Sequence, residues 1–135
     1  MAVEFVIAAP AFLLLLLLVA AGGDWVNSAG QVGAAVSDAA RAASLARDQE
    51  TAGTAAINAA DYDLSGLCAG TDRPPQVTPL GSNGLPTADF ATATDVQVTV
   101  WCTVRLQAFN VIGLPMSATF TRTAVAPLDP FMRRS

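Results

Sequence analysis

The sequence predicts an α+β protein in which a long N-terminal α-helix, first transmembrane and then amphipathic, carries a small antiparallel β-sheet head packed on its C-terminal half. Three patterns support this prediction: an apolar run from Phe5 to Ala21, small apolar residues every three or four positions over 26–46, and strict alternation over 94–108. We divide the chain into a transmembrane or assembly helix (1–23), an extracytoplasmic Ala-rich helix (24–60) and a small head with a long loop and antiparallel strands (61–135).

The apolar run contains seventeen residues without a polar side chain. At a rise of about 1.5 Å per residue it covers most of a hydrocarbon core of roughly 30 Å, and its flanks supply the rest. Pro10 lies inside the run and predicts a bend, because proline removes a helical hydrogen bond. A removable signal peptide is the alternative, since Ala20-Ala21-Gly22 suits a cleavage site, although no positive charge precedes the run.

The expected localisation is therefore the cell membrane, with one pass through the lipid bilayer. On the C-terminal side of the run the nearest charge is Asp24, and the nearest positive charge is Arg41. Because positive charges favour the cytoplasmic side, we expect the C-terminal head to be extracytoplasmic.

Glu4 stands alone as a charged residue directly before the apolar run. A carboxylate at the edge of a bilayer is costly and is expected to have a partner. In a helical assembly it would pair with the α-amino group of a neighbouring subunit and fix the register between the two. Its negative charge would also interact favourably with the N-terminal end of the helix dipole, which stabilises the helix by about 0.3 to 1 kcal/mol. Both roles can coexist. We expect Glu4, Phe5 and Pro10 to serve in assembly and register.

The Ala-rich helix has a narrow stripe of small residues, in which Ala29 and Gly33 would allow another helix to approach closely. We expect this face, with Val36 and Ala40, to pack between subunits, because it offers little bulky apolar surface to a core. The alternative is an ordinary helix that covers its own head. Residues 51–60 either continue this helix or form a second one, with Gly53 as a possible break.

Residues 61–93 are rich in Gly, Pro and Asn and predict a long loop, with turn signals such as Asn83-Gly84. A loop of this length is unusual in a compact domain, so it is either a functional surface loop or partly mobile. Its acidic residues lack the spacing of a calcium loop, so we expect a solvated turn there.

Two strands are predicted after the loop. Thr94 to Ala108 places valines and Cys102 on one face, which should pack on the extramembrane helix. Met116 to Val125 is the second strand, and Phe109 to Pro115 links the two as an apolar hairpin loop. Two prolines in the tail prevent the second strand from continuing.

Cys68 and Cys102 are the two cysteines of the chain. Pairing is the simplest interpretation if the head lies outside the cytoplasm. Closing a loop of about 35 residues would contribute on the order of 3 to 4 kcal/mol in the chain-entropy model. The alternative is two unrelated buried thiols.

Composition excludes several functions. The chain has seven Arg, no Lys, eleven acidic residues and a net charge of -4, so it offers no basic surface for nucleic acid. Histidine is absent, which removes the commonest general base and metal ligand, and no G-x-S-x-G or triad-like context is present. We expect no catalytic residues, no cofactor and no metal site.

Taken together, these residues resemble the TadE-like family, the minor pilins or pseudopilins of Tad (Flp, type IVb) pilus systems, and in particular its actinobacterial members. The resemblance rests on Ala2-Val3-Glu4-Phe5 before the apolar run, Ala9-Pro10 inside it, the strand Val96 to Cys102 and the end from Gly113 to Phe131.

The resemblance implies a precursor whose short basic leader is removed by a prepilin peptidase, and a glutamate near the fifth position of the mature chain, which Glu4 matches. It implies other pilin subunits and the pilus assembly machinery as partners, with incorporation into an extracellular pilus. Whether this chain is processed is left open. The other function considered is a membrane-anchored extracytoplasmic binding module, in which residues 61–93 bind a ligand and Glu4 has no role in assembly.

Overall fold

The computed structural model describes residues 2–68 and 73–131 and confirms the α+β fold. Two helices are followed by a three-stranded sheet with short helical turns in its connections. The elements are α1 (Ala2–Ser44), α2 (Gln49–Leu64), β1 (Gln76–Leu80), a 3-10 turn (Phe90–Thr92), β2 (Asp95–Arg105), α3 (Gln107–Asn110) and β3 (Ser117–Pro127).

Helix α1 crosses the predicted boundary at residue 23 without interruption and ends at Ser44. The two glycines at 22 and 23 each cost about 1 kcal/mol relative to alanine inside a helix. The helix nevertheless continues, because its following turns pack against the rest of the chain, with Val32 and Ala39 fully buried.

A second helix, α2, begins at Gln49, so the break falls before residue 51 and not at Gly53, which lies inside α2. The physical reason is a helix cap: an Asp48 carboxylate oxygen accepts a hydrogen bond of 2.8 Å from the Thr51 backbone N–H. The short link and the contact between the two helices make a helical hairpin. Its inner face on α2 repeats every four residues, with Ala52, Ala56, Ala60 and Leu64 buried.

The sheet is antiparallel in the order β1-β2-β3, with β2 in the centre. The alternation predicted for β2 is confirmed, since every second side chain is buried from Val96 to Val104. This face packs on α1 and α2 and forms one core with their alanines. On the outer face, cross-strand hydroxyl pairs join Thr99 to Thr123 and Thr103 to Thr119 at 3.1 and 3.0 Å.

Strand β1 lies inside the segment that we expected to be a long loop, so that prediction was wrong for these residues. The strand has five residues and contains Pro79, a residue that argues against a central strand. Its position explains the exception, because β1 is an edge strand and pairs on one side only. The same segment also contains the end of α2 and the 3-10 turn, whose Phe90 is buried in the core.

Strands β2 and β3 form the predicted antiparallel hairpin, but their connection is longer than the predicted loop of Phe109 to Pro115. Strand β2 ends at Arg105, three residues before the predicted end, because the chain turns into α3. Strand β3 extends two residues beyond Val125 to Pro127. We call residues 106–116 the apolar connection.

Candidate assembly and membrane site

Most of the N-terminal half of α1 is an apolar surface that the described part of the chain leaves uncovered. Apart from Leu17, the large side chains from Phe5 to Val19 are about half to four-fifths exposed, with Phe5 at 81% and Leu16 at 49%. Among residues 2–68 and 73–131, α1 is the one helix long and apolar enough to cross a membrane, by length and composition. It fits a membrane anchor.

Pro10 sits within α1, and the helix is continuous on both sides of it. Phe5 and Phe12, seven residues apart, border a shallow notch whose floor includes Ala8 and Ala9. Positions seven apart share a helix face, so the two rings lie on either side of the small residues. The predicted bend at Pro10 stays a prediction.

Glu4 lies within the helical range of α1, but its side chain is outside the described residues. Its proposed role in register therefore remains a prediction. What the structure describes around it is the apolar surface that begins at Phe5 and continues to Val19.

The predicted packing face in the second half of α1 has a different partner from the one we expected. Val36 and Ala40 are 3% and 1% exposed and belong to the core of the chain's own head, so they cannot also pack between subunits. Ala29 and Gly33 are half-buried, and Ala29 packs against the same core. For Val36 and Ala40 the alternative is therefore correct: at these positions the helix covers its own head. The reason is that the valine face of β2, with Phe90 and Phe120, supplies the bulk that the small residues of α1 lack.

The head meets α1 within the apolar run itself. Ala21 is only 9% exposed and Leu17 is half-buried, and both share a helix face with the buried Ser28. One turn further on, the Trp25 ring packs on Phe120 of β3, with ring centroids 4.7 Å apart and planes tilted by 59°. The junction between anchor and head is therefore a packed contact and not a free linker.

A polar pocket of about 480 Å³ lies at this junction. Its α1 wall includes Asp24, Asn27 and Ser28, and its head wall includes Val104 and Arg105 at the end of β2. The first charged residue of α1 after the apolar run and the last charged residue of β2 thus border the same space.

The structure contains a disulfide between Cys68 and Cys102, with a Cα–Cα distance of 5.3 Å, as the sequence led us to expect. Cys102 is fully buried on the valine face, and Cys68 follows the end of α2. The bond therefore ties the helical hairpin to the central strand, on the side of the sheet that faces the core. Such bonds persist in oxidising compartments.

One titratable group of the head has a clear perturbation. Hydrogen bonds from the Thr51 side chain and backbone hold the pKa of Asp48 below its ordinary value of 3.8, because they stabilise the charged carboxylate. Within residues 2–68 and 73–131, no group of three or more His, Cys, Asp or Glu residues is arranged to hold a metal ion.

Two features of this site escaped sequence reasoning. The head-facing positions Leu17 and Ala21 look like ordinary members of the apolar run, and only the packing distinguishes them. The apolar connection was visible as a run without charge between Arg105 and Arg122, but its closeness to α1 was not.

Comparison with known proteins gives one match. Residues 1–41 match the family model described as TadE-like protein, which confirms the resemblance over the segment that includes Glu4 and the apolar run. Neither a curated protein nor a solved structure matches the chain.

Proposed function

We propose that the protein is a minor pilin or pseudopilin of the TadE-like type, a structural subunit that assembles into or primes a Tad-type (type IVb) pilus. The observation that carries the proposal is the N-terminal half of α1, a continuous apolar helix surface in the segment that matches the family model. A subunit stored in a bilayer and later packed among other helices needs such a surface, because both environments are apolar.

The anchor is strong enough for membrane storage. Six consecutive leucines, at positions 13–18, each contribute about -0.3 to -0.6 kcal/mol to insertion near the bilayer centre, or roughly -2 to -4 kcal/mol together. The helix crosses the membrane once in this proposal, with the head on the extracytoplasmic side. The Cys68–Cys102 disulfide supports that orientation, since an extracytoplasmic head is in an oxidising environment.

In assembly, Glu4 pairs with the α-amino group of a neighbouring subunit and fixes its register. The pair gains strength when it is desolvated among apolar helices, and leaving Glu4 there without a partner is costly. The notch between Phe5 and Phe12 receives a side chain of the adjacent helix. The partners are thus other pilin subunits, the pilus assembly machinery, the bilayer and, where a leader is present, the prepilin peptidase. The role is structural and not enzymatic.

Fractionation of native cells tests this proposal with Glu4→Ala beside wild type. We expect wild type in sheared extracellular fibres and the Glu4→Ala variant retained in the membrane, because it has lost the register contact. Glu50→Ala is the matched control, since Glu50 is an exposed acid in the first turn of α2, within the head. It should enter fibres as wild type does.

Retention of wild type in the membrane, together with normal fibres after deletion of the gene, would contradict the proposal. That result would favour the anchored binding module, in which α1 only attaches the head. Equal incorporation of wild type and Glu4→Ala would retain the pilus role and remove the register role of Glu4.

A further inference from the structure

The apolar connection, residues 106–116, lies at the end of the head nearest the exposed half of α1. Strand β2 ends at Arg105 beside Asp24 and Ser28, and α3, which follows it, contacts α1. Head-facing positions of α1 continue from Ser28 towards the N-terminus to Ala21 and Leu17. The chain beyond Arg105 therefore extends alongside the last turns of the apolar run.

This connection exposes large apolar side chains. Val111 is 83% exposed, Leu114 is 53% exposed, and Ile112 and Met116 are 49% and 47% exposed. The sequence has no charged residue between Arg105 and Arg122. Apolar side chains clustered in this way, without an interspersed charge, mark a surface that is covered by something other than water.

The position of the apolar connection along the axis of α1 indicates what covers this connection. The run from Phe5 to Ala21 is about 25 Å long, shorter than a hydrocarbon core of roughly 30 Å. The head already covers Ala21 and part of Leu17, which are the last two head-facing positions of that run. A bilayer that surrounds the run therefore reaches the near end of the head.

The positions of the charged residues support a bilayer surface at this end of the head. Asp24 on α1 and Arg105 on β2 border one pocket, so charged residues begin at one level on both elements. Towards the N-terminus of α1 from Asp24, residues 5–23 carry no charge, and neither does the apolar connection, whose exposed polar side chains are Gln107 and Asn110. Trp25, a residue type that favours the membrane interface, lies at this level and packs on Phe120.

We propose that the apolar connection inserts into the interfacial layer of the phospholipid bilayer beside α1, so that two elements hold the subunit in the membrane. This inference rests on the proposed membrane-stored subunit and adds a second contact to it. Because the connection is continuous with β2 and β3, its insertion fixes the tilt and rotation of the head relative to the bilayer. Extraction of the subunit into a fibre must then withdraw the connection as well as α1.

Fluorescence of the full-length chain in phospholipid vesicles tests the inference. Val111→Cys is labelled with an environment-sensitive dye, and the native cysteines do not compete because they are paired with each other. Leu85→Cys is the matched control: Leu85 is an apolar residue, 61% exposed, in the connection between β1 and β2 at the opposite end of β2. Across β2, about 33 Å separate the two ends. A free energy of unfolding equal to that of wild type confirms that both variants fold.

The expected result has three parts. The chain floats with the vesicles. The dye at position 111 emits at a shorter wavelength than the dye at position 85. Lipids that carry a quencher near the headgroup quench the dye at position 111 several-fold more strongly than the dye at position 85. If both dyes in floating protein respond as they do in water, the inference is overturned while the membrane anchor stands.

Two other outcomes overturn it in distinguishable ways. A wavelength shift at 111 without quenching by lipid, lost when the protein is diluted into more lipid, would mean that a second copy covers the connection. Failure of the chain to float would remove the membrane-stored subunit itself, and the insertion of the connection with it.

Discussion

The two halves of α1 follow one another in the same continuous helix but relate to their surroundings in opposite ways. From Phe5 to Val19 nearly all side chains are exposed, and the large ones include Phe12 at 63% and Leu18 at 70%. After Ala21 the head-facing side chains are small and buried, and Ala39 and Ala43 are fully covered. Small residues let α2 and the sheet approach closely, whereas most of the large ones remain exposed in the described chain. One helix therefore has two kinds of surroundings: its second half packs in the core of the head, whereas most of its apolar N-terminal half is exposed.

The comparison predicts that removing the disulfide damages the head and leaves the anchor unaffected. We expect Cys68→Ala/Cys102→Ala to lower the free energy of unfolding of the head by about 3 to 4 kcal/mol, because the reduced chain gains the entropy of an open loop. Denaturant unfolding of the detergent-solubilised full chain measures this loss. Flotation with vesicles should be unchanged. Loss of flotation would show that the anchor depends on the folded head.

A second test replaces one alanine by leucine in each half of α1, so that the same volume is added to both. Ala39→Leu should lower the free energy of unfolding of the head by about 1 to 3 kcal/mol, because the position is fully buried and the added carbons have no space. Ala9→Leu adds the same group to an exposed position and should leave unfolding unchanged. The measurement is again denaturant unfolding of the full chain. Equal effects at both positions would contradict the separation of α1 into two environments.

The smallest effect concerns the turn that lets α2 fold back on α1. The pKa of Asp48 is lowered in the folded head, so the stabilisation is complete above 3.8 and is lost as the pH falls through that value and then through the lowered pKa. Asp48→Asn keeps a good helix cap but cannot titrate. The free energy of unfolding, measured from about pH 6 to about pH 2, should fall more steeply for wild type than for Asp48→Asn. Parallel curves would show that the Asp48 carboxylate contributes no pH dependence.

Local patterns predicted the elements whose periodicity is long. The stripe of small residues and the valine alternation of β2 each repeat over several turns or residue pairs, so each fixes one face without knowledge of the rest, whereas the apolar run is recognised by its length. Strand β1 has only five residues, one of them Pro79, and its pairing with β2 cannot be read from so short a segment. Gly53 was a possible break by its low helix propensity, but α2 begins at Gln49 because Asp48 caps it, and Gly53 lies inside the helix.

The sequence by itself determined that the chain has a membrane-length helix, a strand with one buried face and two cysteines available for pairing, because composition and period are local properties. The tertiary structure decided which surface the small residues of α1 meet, and assigned Val36 and Ala40 to the chain's own core. It also brought α3, in the apolar connection, into contact with α1, and packed Trp25 of α1 on Phe120 of β3. A repeat along the chain specifies a face, but the partner of that face depends on how distant segments fill space together.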